Sequence, residues 1–475
     1  MHFSSIVFIF VFLPIALLGY YLFYFSKELK NLWLVLISLV FYGWGDPIFL
    51  LFPIGIAGIT YLAGILMDSM KFAKKGILWG IVILNILLLA RFKFVDNVNE
   101  MLNLITSHGQ VQIPILLWPI GMAFMVLRSI SYVADIYKGE MKADRNVLHL
   151  LLYMMFFPFV SAGPFIKYTN FAMQLAERKM NSRKFSIGCT RFTIGLGKKV
   201  ILADNLGYVS ELIFNWSRLG VGNISVPILT AWFGIVAFSL QIFLDLSGYC
   251  DMAIGLGLLF GFEFPENFDY PYLAANVSEF WEKWHITLVQ WFREYVFLPL
   301  GGEEKENKDL VIRNLAITCF LLAFWHGERS TFIFLAMWHF LFLFLEKFID
   351  QDWKSEYKWC LHIGTLLEVI IGWVMFRADD IYQAYVYLQN MFGINRTGLG
   401  DVKTWFLLKE YGLFLAVGIL FCFPISKKAN TYLVENHDRF LVKVLSVLYP
   451  IGLFAVLLIC LSYILVTENT GFVYF

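Results

Sequence analysis

Uncharged apolar runs follow one another along the whole chain, separated by short polar segments. The first covers 20 residues, 6–25, with no Lys or Arg before it and no small-residue cleavage motif after it. The apolar core of a secretory signal is only ~7–15 residues long. This stretch is therefore expected to remain as a first transmembrane helix, long enough to cross ~30 Å of hydrocarbon. Further runs lie at 32–44, 48–67, 77–90, 113–127, 227–244, 315–325, 331–345, 366–376, 411–424 and 444–466. Allowing for runs that merge or re-enter, the length rule predicts roughly nine to twelve spanning helices. Runs shorter than a span are tolerated at membrane depth where they are buried in protein or line a wet cavity.

Basic connections occur at Lys71, Lys74, Lys75, Arg91 and Lys93, and again at Arg178, Lys179, Arg183 and Lys184. They flank both ends of the run 77–90, so the tendency of basic loops to face the cytoplasm does not by itself orient the chain. No internal repeat, heptad pattern or soluble domain interrupts the runs, and 1–475 reads as a single transmembrane domain. One region breaks the pattern. Between Gly261 and Gly302 charged residues mix with Trp281, Trp284 and Trp291. Within it Trp284, Leu288, Trp291 and Tyr295 form a helical stripe, which predicts one amphipathic helix over 278–298. Ser278 would cap its start, and Pro299 with Gly301 and Gly302 would stop it.

Composition sharpens the class. Hydrophobic residues make up 59% of the 475 positions and charged residues only 15%, against about 25% in ordinary soluble chains. Too few ions remain to coat a water-facing surface, so the chain is an all-α polytopic membrane protein. A net charge of +1 argues against nucleic acid as a partner, since phosphate binding needs a basic excess. The six cysteines are widely spaced and match no metal-ligand or disulfide framework.

His326, in Phe324-Trp325-His326-Gly327, lies between two apolar runs. An ionisable group at membrane depth is a functional candidate, and a neutral imidazole suits general-base work; the plainer reading is a histidine bonded between helices. His285, beside Trp284, has a stronger plain reading as an interfacial residue. His339 lies 13 positions past His326 and points to a different helical face, which favours a structural role. Asp245 and Asp251 stand at the end of a long apolar run, as polar lining, a histidine partner, or a helix end. Gly255, Gly257 and Gly261 follow no strand, so helix packing is preferred over a nucleotide loop.

Taken in order, several motifs resemble the membrane-bound O-acyltransferase (MBOAT) family, and in particular its bacterial polysaccharide branch. They include Phe156-Phe-Pro-Phe-Val-Ser-Ala-Gly-Pro164, Lys198-Lys-Val-Ile-Leu-Ala-Asp-Asn205 and Glu279-Phe-Trp-Glu-Lys-Trp-His-Ile-Thr287. Others are Arg293-Glu-Tyr-Val-Phe-Leu-Pro-Leu-Gly-Gly302, Trp325-His-Gly327 and Trp338-His339. The chain departs from that pattern at Glu328-Arg329 and at Phe340. The resemblance implies a ring of helices around a central tunnel in a bacterial cytoplasmic (inner) membrane. It implies His326 as the catalytic histidine and His285 as a second site position that the family fills with Asn or His. Trp284, Trp325, Asp245 and Asp251 would line the tunnel or substrate path. Acetyl-CoA would be the acyl donor, with no metal and no permanently bound cofactor. The implied partners are membrane lipid, an extracytoplasmic hydrolase-like (SGNH-type) acetyltransferase and a polysaccharide as final acceptor. The tail Phe472-Val473-Tyr474-Phe475 resembles the branch's aromatic terminus, which makes Tyr474 a candidate acyl acceptor; the plainer reading is an aromatic anchor at the membrane edge. Alternatives are D-alanyl or other acyl transfer to a cell-wall polymer and, from another class, a transporter or flippase of lipid-linked sugars.

Overall fold

A computed structural model of the chain describes residues 1–95, 98–99, 102, 119, 121–218, 226–302, 308–327, 329–349, 356–436 and 439–466. Every regular element among these is helical. Among the described residues seven helices are long and apolar enough to cross a membrane: Pro47–Ser69, Lys74–Lys93, Ile228–Leu259, Asp309–His326, Lys358–Arg377, Val402–Phe421 and Val442–Val466. Three shorter apolar helices, Phe8–Leu22, Val147–Phe159 and Ser330–Glu346, accompany them. The chain is thus a multi-pass membrane protein. Residues 113–118 and 120 of the run 113–127 lie outside the described residues, and so does Tyr474.

The 32-residue helix Ile228–Leu259 is the axis of the bundle; 72% of its apolar window is buried, against 6% for Val442–Val466. Glycines let a second helix, Ser182–Gly197, lie directly against it. A Cβ on Gly188 would sit 2.8 Å from the Gly255 carbonyl oxygen, and one on Gly195 would sit 2.5 Å from that of Gly248. Small residues at such crossings let backbones touch, which is how helices gain packing where lipid offers no hydrophobic drive. Gly255 therefore serves the packing role expected of it.

The axial helix does not end at Asp245–Asp251, as one reading of the sequence had it; it continues to Leu259. Its carboxylates are neutralised instead. The neighbouring helix passes into a π-helical turn at Lys198–Ala203, which turns two adjacent lysines onto it. Lys198 Nζ lies 2.7 Å from Asp251, while Lys199 Nζ lies 3.1 Å from Asp245 and 2.7 Å from Asp204. Arg191 bonds Asp251 as well, at 2.9 Å. A buried carboxylate matched in this way need not interrupt a helix.

The predicted amphipathic helix over 278–298 is a second correction. Two seven-residue helices, Val277–Lys283 and Ile286–Phe292, occupy that stretch, followed by a π turn at Arg293–Phe297. Asn276, not Ser278, is the cap, accepting from the Glu279 amide at 2.8 Å. The stop before Pro299 stands as expected. The break falls at Trp284–His285, where His285 takes a left-handed backbone with φ 45°.

One end of the bundle gathers much of the positive charge. Lys27 donates to the Ala176 carbonyl at 2.7 Å, and Arg178 donates to Asn31 at 2.6 Å. Arg145 pairs with Asp68, Lys167 with Glu294 and Lys184 with Glu263. Lys74 and Lys75 follow the helix that ends beside Asp68. The helix Lys74–Lys93 then runs about 30 Å to the opposite end. There Lys93 turns inward onto the protein rather than out toward water.

Candidate active site

His285 and His326 meet at one cavity. His326 ends the helix Lys308–His326, and His285 sits at the break just described. The two rings line a narrow space of about 30 Å³. Trp281, Trp284, Leu335, Trp373 and Phe376 are among the other residues of its wall. A space of that size holds about one or two water molecules, so the histidines face a confined, mostly apolar chamber. Trp284 belongs to the lining. Trp325 does not: its indole N–H donates to the Ala123 carbonyl at 3.4 Å and its ring packs edge-on to Phe124 at 5.4 Å.

His285 owes its position to Asn267, which sequence reasoning missed. A left-handed backbone costs a non-glycine residue about 1–2 kcal/mol, so the surroundings must hold it. The Asn267 carbonyl accepts from the Ile286 amide at 2.9 Å. Its side-chain oxygen accepts from the Thr287 amide at 3.0 Å and from the Thr287 hydroxyl at 2.9 Å. Asn267 thereby caps the Ile286–Phe292 helix from outside its own sequence. The Thr287 amide can only donate, so it fixes which end of the carboxamide is oxygen. The other end, Nδ2, then donates to His285 Nδ1 at 3.3 Å and to Cys250 Sγ at 3.2 Å. An imidazole that accepts at Nδ1 carries its proton on Nε2 when neutral.

His326 is held at the end of its helix. Phe376 stands edge-on to its ring at 5.6 Å, and Phe332 lies 5.8 Å away. The next residue, Gly327, has φ 150°, a conformation open to glycine. Lys93 Nζ donates to the carbonyls of Trp325 and His326 at 2.5 and 3.0 Å; the sequence had offered it only as a basic flank. His339 stands apart, bonded through Nδ1 to Glu368 at 2.7 Å. Asp245 and Asp251 are engaged by Lys199, Lys198 and Arg191 and do not line the chamber, although Ile242 and Leu246 on the same helix do.

The opposite face of the Ile286–Phe292 helix borders a much larger, open vestibule of about 730 Å³. Thr287, Gln290 and Trp291 from that helix form one side of it, and Lys167, Arg178, Lys179 and Lys184 are among the other lining residues. Leu288 and Val289 face the histidine chamber. A helix two turns long is therefore the partition between a charged vestibule at the basic end and the histidine pair. Thr287 ties the partition to both sides, since its hydroxyl also accepts from the Phe165 amide at 2.9 Å. Among the described residues no cluster of His, Cys, Asp or Glu could hold a metal ion.

The family model for membrane-bound O-acyltransferases matches residues 138–385. The match covers both histidines, the partition helix and the vestibule. The chain belongs to the membrane-bound O-acyltransferase family. It is an acyltransferase, and its relatives bear this out. A probable alginate O-acetylase AlgI of Pseudomonas syringae pv. tomato is 35% identical over 88% of this chain and 82% of its own length. A peptidoglycan O-acetyltransferase of Helicobacter pylori is 30% identical over 99% of this chain and 90% of its own. A teichoic acid D-alanyltransferase of Bacillus subtilis is more distant, at 24% identity over 50% of this chain and 61% of its own.

Proposed function

We propose that this acyltransferase takes an acetyl group from cytoplasmic acetyl-CoA and passes it across the membrane toward O-acetylation of an extracytoplasmic polysaccharide. The observation that carries the reading is the shared chamber of His285 and His326, separated by one short helix from a charged vestibule. Relatives named as alginate O-acetylase and peptidoglycan O-acetyltransferase favour acetyl as cargo and a glycan as destination. The basic end would face the cytoplasm, because basic loops are retained there. With Lys93 folded inward onto backbone carbonyls, Arg91 alone of that flank is left at the opposite end of its helix to compete in that argument. The vestibule has the size of a ligand site; Lys167 and Lys184 are paired with Glu294 and Glu263, and Arg178 and Lys179 on its wall suit the phosphates of a CoA thioester.

In this mechanism neutral His326 takes the proton from an acceptor hydroxyl. The oxygen attacks the thioester carbonyl, the C–S bond breaks, and the proton passes to the departing thiolate. His285 donates from Nε2 to the oxygen on which negative charge develops. Tyr474 is the proposed acceptor, since a phenol of pKa ~10 ionises far more readily than a sugar hydroxyl. A hydrolase-like transferase outside the membrane would then move the acetyl group to polysaccharide.

The test is peptide mass spectrometry on purified protein incubated with isotope-labelled acetyl-CoA, beside His326→Ala and Tyr474→Phe. Label on Tyr474 that disappears in both variants is the expected result. Full acetyl transfer by His326→Ala would remove the central claim. Label from a D-alanyl carrier thioester, with none from acetyl-CoA, would shift the cargo to the one named for the Bacillus subtilis relative.

A further inference from the structure

We infer that Lys93 is a positioning residue for the acyl transfer, holding the backbone that carries His326. The inference rests on His326 being the base of the proposed reaction. A helix leaves its last four carbonyls without intrahelical partners, and in hydrocarbon no water is at hand to satisfy them. At the end of Lys308–His326, the Gly327 amide takes the Ala323 carbonyl at 3.3 Å. The carbonyls of Trp325 and of His326 itself are taken by one ammonium, Lys93 Nζ. That ammonium also lies 5.3 Å from the centre of the Trp325 ring. A cation at a helix C-terminus meets the negative end of the helix dipole. The site therefore carries three favourable interactions within one residue of the catalytic ring.

The flanking residues act with it. Phe94 stacks on Phe324 with ring centres 4.4 Å apart and planes 12° from parallel. Phe92 packs edge-on against Phe52 at 5.0 Å. Further back, Asn85 of the same helix donates to Ser129 Oγ at 3.0 Å. Ser129 belongs to the helix Met122–Lys138, whose Ala123 carbonyl accepts from the Trp325 indole. The end of Lys74–Lys93 is thus fixed to the protein and in turn clasps the last turn before His326. Gly327, with its unusual φ, offers no stiffness of its own, so the ring's aim depends on this clasp.

The experiment uses the full chain in proteoliposomes, with acetyl-CoA as donor and Lys93→Met, Lys93→Arg and His326→Ala compared with wild type. Misplacing a catalytic group by about 1 Å costs on the order of 10²-fold in rate. Lys93→Met is expected to lower kcat by about that factor while the number of acetyl-CoA binding sites and KM stay at wild-type values. Lys93→Arg keeps a charged donor and is expected to recover turnover to within roughly tenfold of wild type. Wild-type turnover in Lys93→Met would overturn the inference. So would a loss matched by an equal loss of acetyl-CoA binding sites, or one that Lys93→Arg does not recover at all. His326→Ala separates the two claims. If it stays active, the proposed base is wrong; if it is inactive while Lys93→Met turns over normally, only the role of Lys93 fails.

Discussion

Substitutions at His285 discriminate between two chemical roles for the second histidine. With Nδ1 accepting from Asn267 Nδ2, the proposed role places the proton on Nε2, so the ring should stabilise negative charge rather than take a proton. Glutamine can offer an amide N–H near the position of Nε2 but cannot act as a base. His285→Ala removes the donor, and losing one such group costs about 2.7–4 kcal/mol, or 10²–10³ in kcat. His285→Gln is expected to stay within about tenfold of wild type, since it keeps the donor and loses mainly the bond from Asn267, worth ~0.5–1.5 kcal/mol. Asn267 Nδ2 retains Cys250 Sγ as a partner at 3.2 Å, and the cap on Ile286–Phe292 uses only Asn267 oxygens. Both variants should therefore fold. The assay is single-turnover consumption of labelled acetyl-CoA in proteoliposomes, with donor affinity measured separately. If His285→Gln is as inactive as His285→Ala at equal donor affinity, the donor role is refuted and His285 must exchange a proton.

Two further expectations concern stability. Lys199→Met leaves Asp245, only 4% exposed along its side chain, without its cation; breaking a buried pair from one side costs about 3–5 kcal/mol. Thermal unfolding in detergent should show that loss, and adding Asp245→Asn should return part of it; an unchanged melting temperature in Lys199→Met would contradict the ion-pair account. In the connection before Val147–Met155, burial alone would raise the Asp144 carboxyl, but hydrogen bonds from His149, Tyr168 and the Asn146 amide hold it down to about 2. A carboxyl depressed in the folded state stabilises fully above its ordinary pKa of about 3.9 and loses that contribution as pH falls toward the folded value. Asp144→Asn is therefore expected to cost about 1 kcal/mol at pH 7, after allowance for solvent screening. The gap in melting temperature from wild type should narrow between pH 5 and 3, and a gap that is constant or widens would exclude the mechanism.

The membrane class was legible because it rests on a local property, uninterrupted apolar length; His326 drew attention as an ionisable ring in an apolar setting, whereas His285 was singled out only by the family resemblance. What was not legible depends on residues far apart in the chain. Nothing between Ser278 and Leu298 breaks a helix by its own propensity; no Gly or Pro stands at Trp284 or His285. The break exists because Asn267 takes the amides of Ile286 and Thr287 and the Asp269 amide takes the Lys283 carbonyl at 3.0 Å. Periodicity reads the stripe correctly and still joins two helices into one. Asp245 and Asp251 looked like a helix end for the related reason that their lysines were invisible. Lys198 and Lys199 were quoted as a motif, but only the π turn shows that adjacent residues reach carboxylates six positions apart.

The same physics accounts for where the histidines stand. In hydrocarbon, backbone groups at a helix end must find partners inside the protein, so a polar ring at such an end depends on imported bonds. His285 precedes a helix whose first amides are taken by acceptors on Asn267. His326 closes a helix whose last carbonyls are taken by a donor on Lys93. One cap supplies oxygen to an N-terminus and the other supplies N–H to a C-terminus, as the opposite polarity of the two ends requires. Each cap also reaches its histidine: Asn267 Nδ2 lies 3.3 Å from His285 Nδ1, and Lys93 donates to the carbonyl of His326 itself. Stability and aim are then set by the same bonds, and a substitution that weakens either cap should lower turnover before it lowers the amount of folded protein.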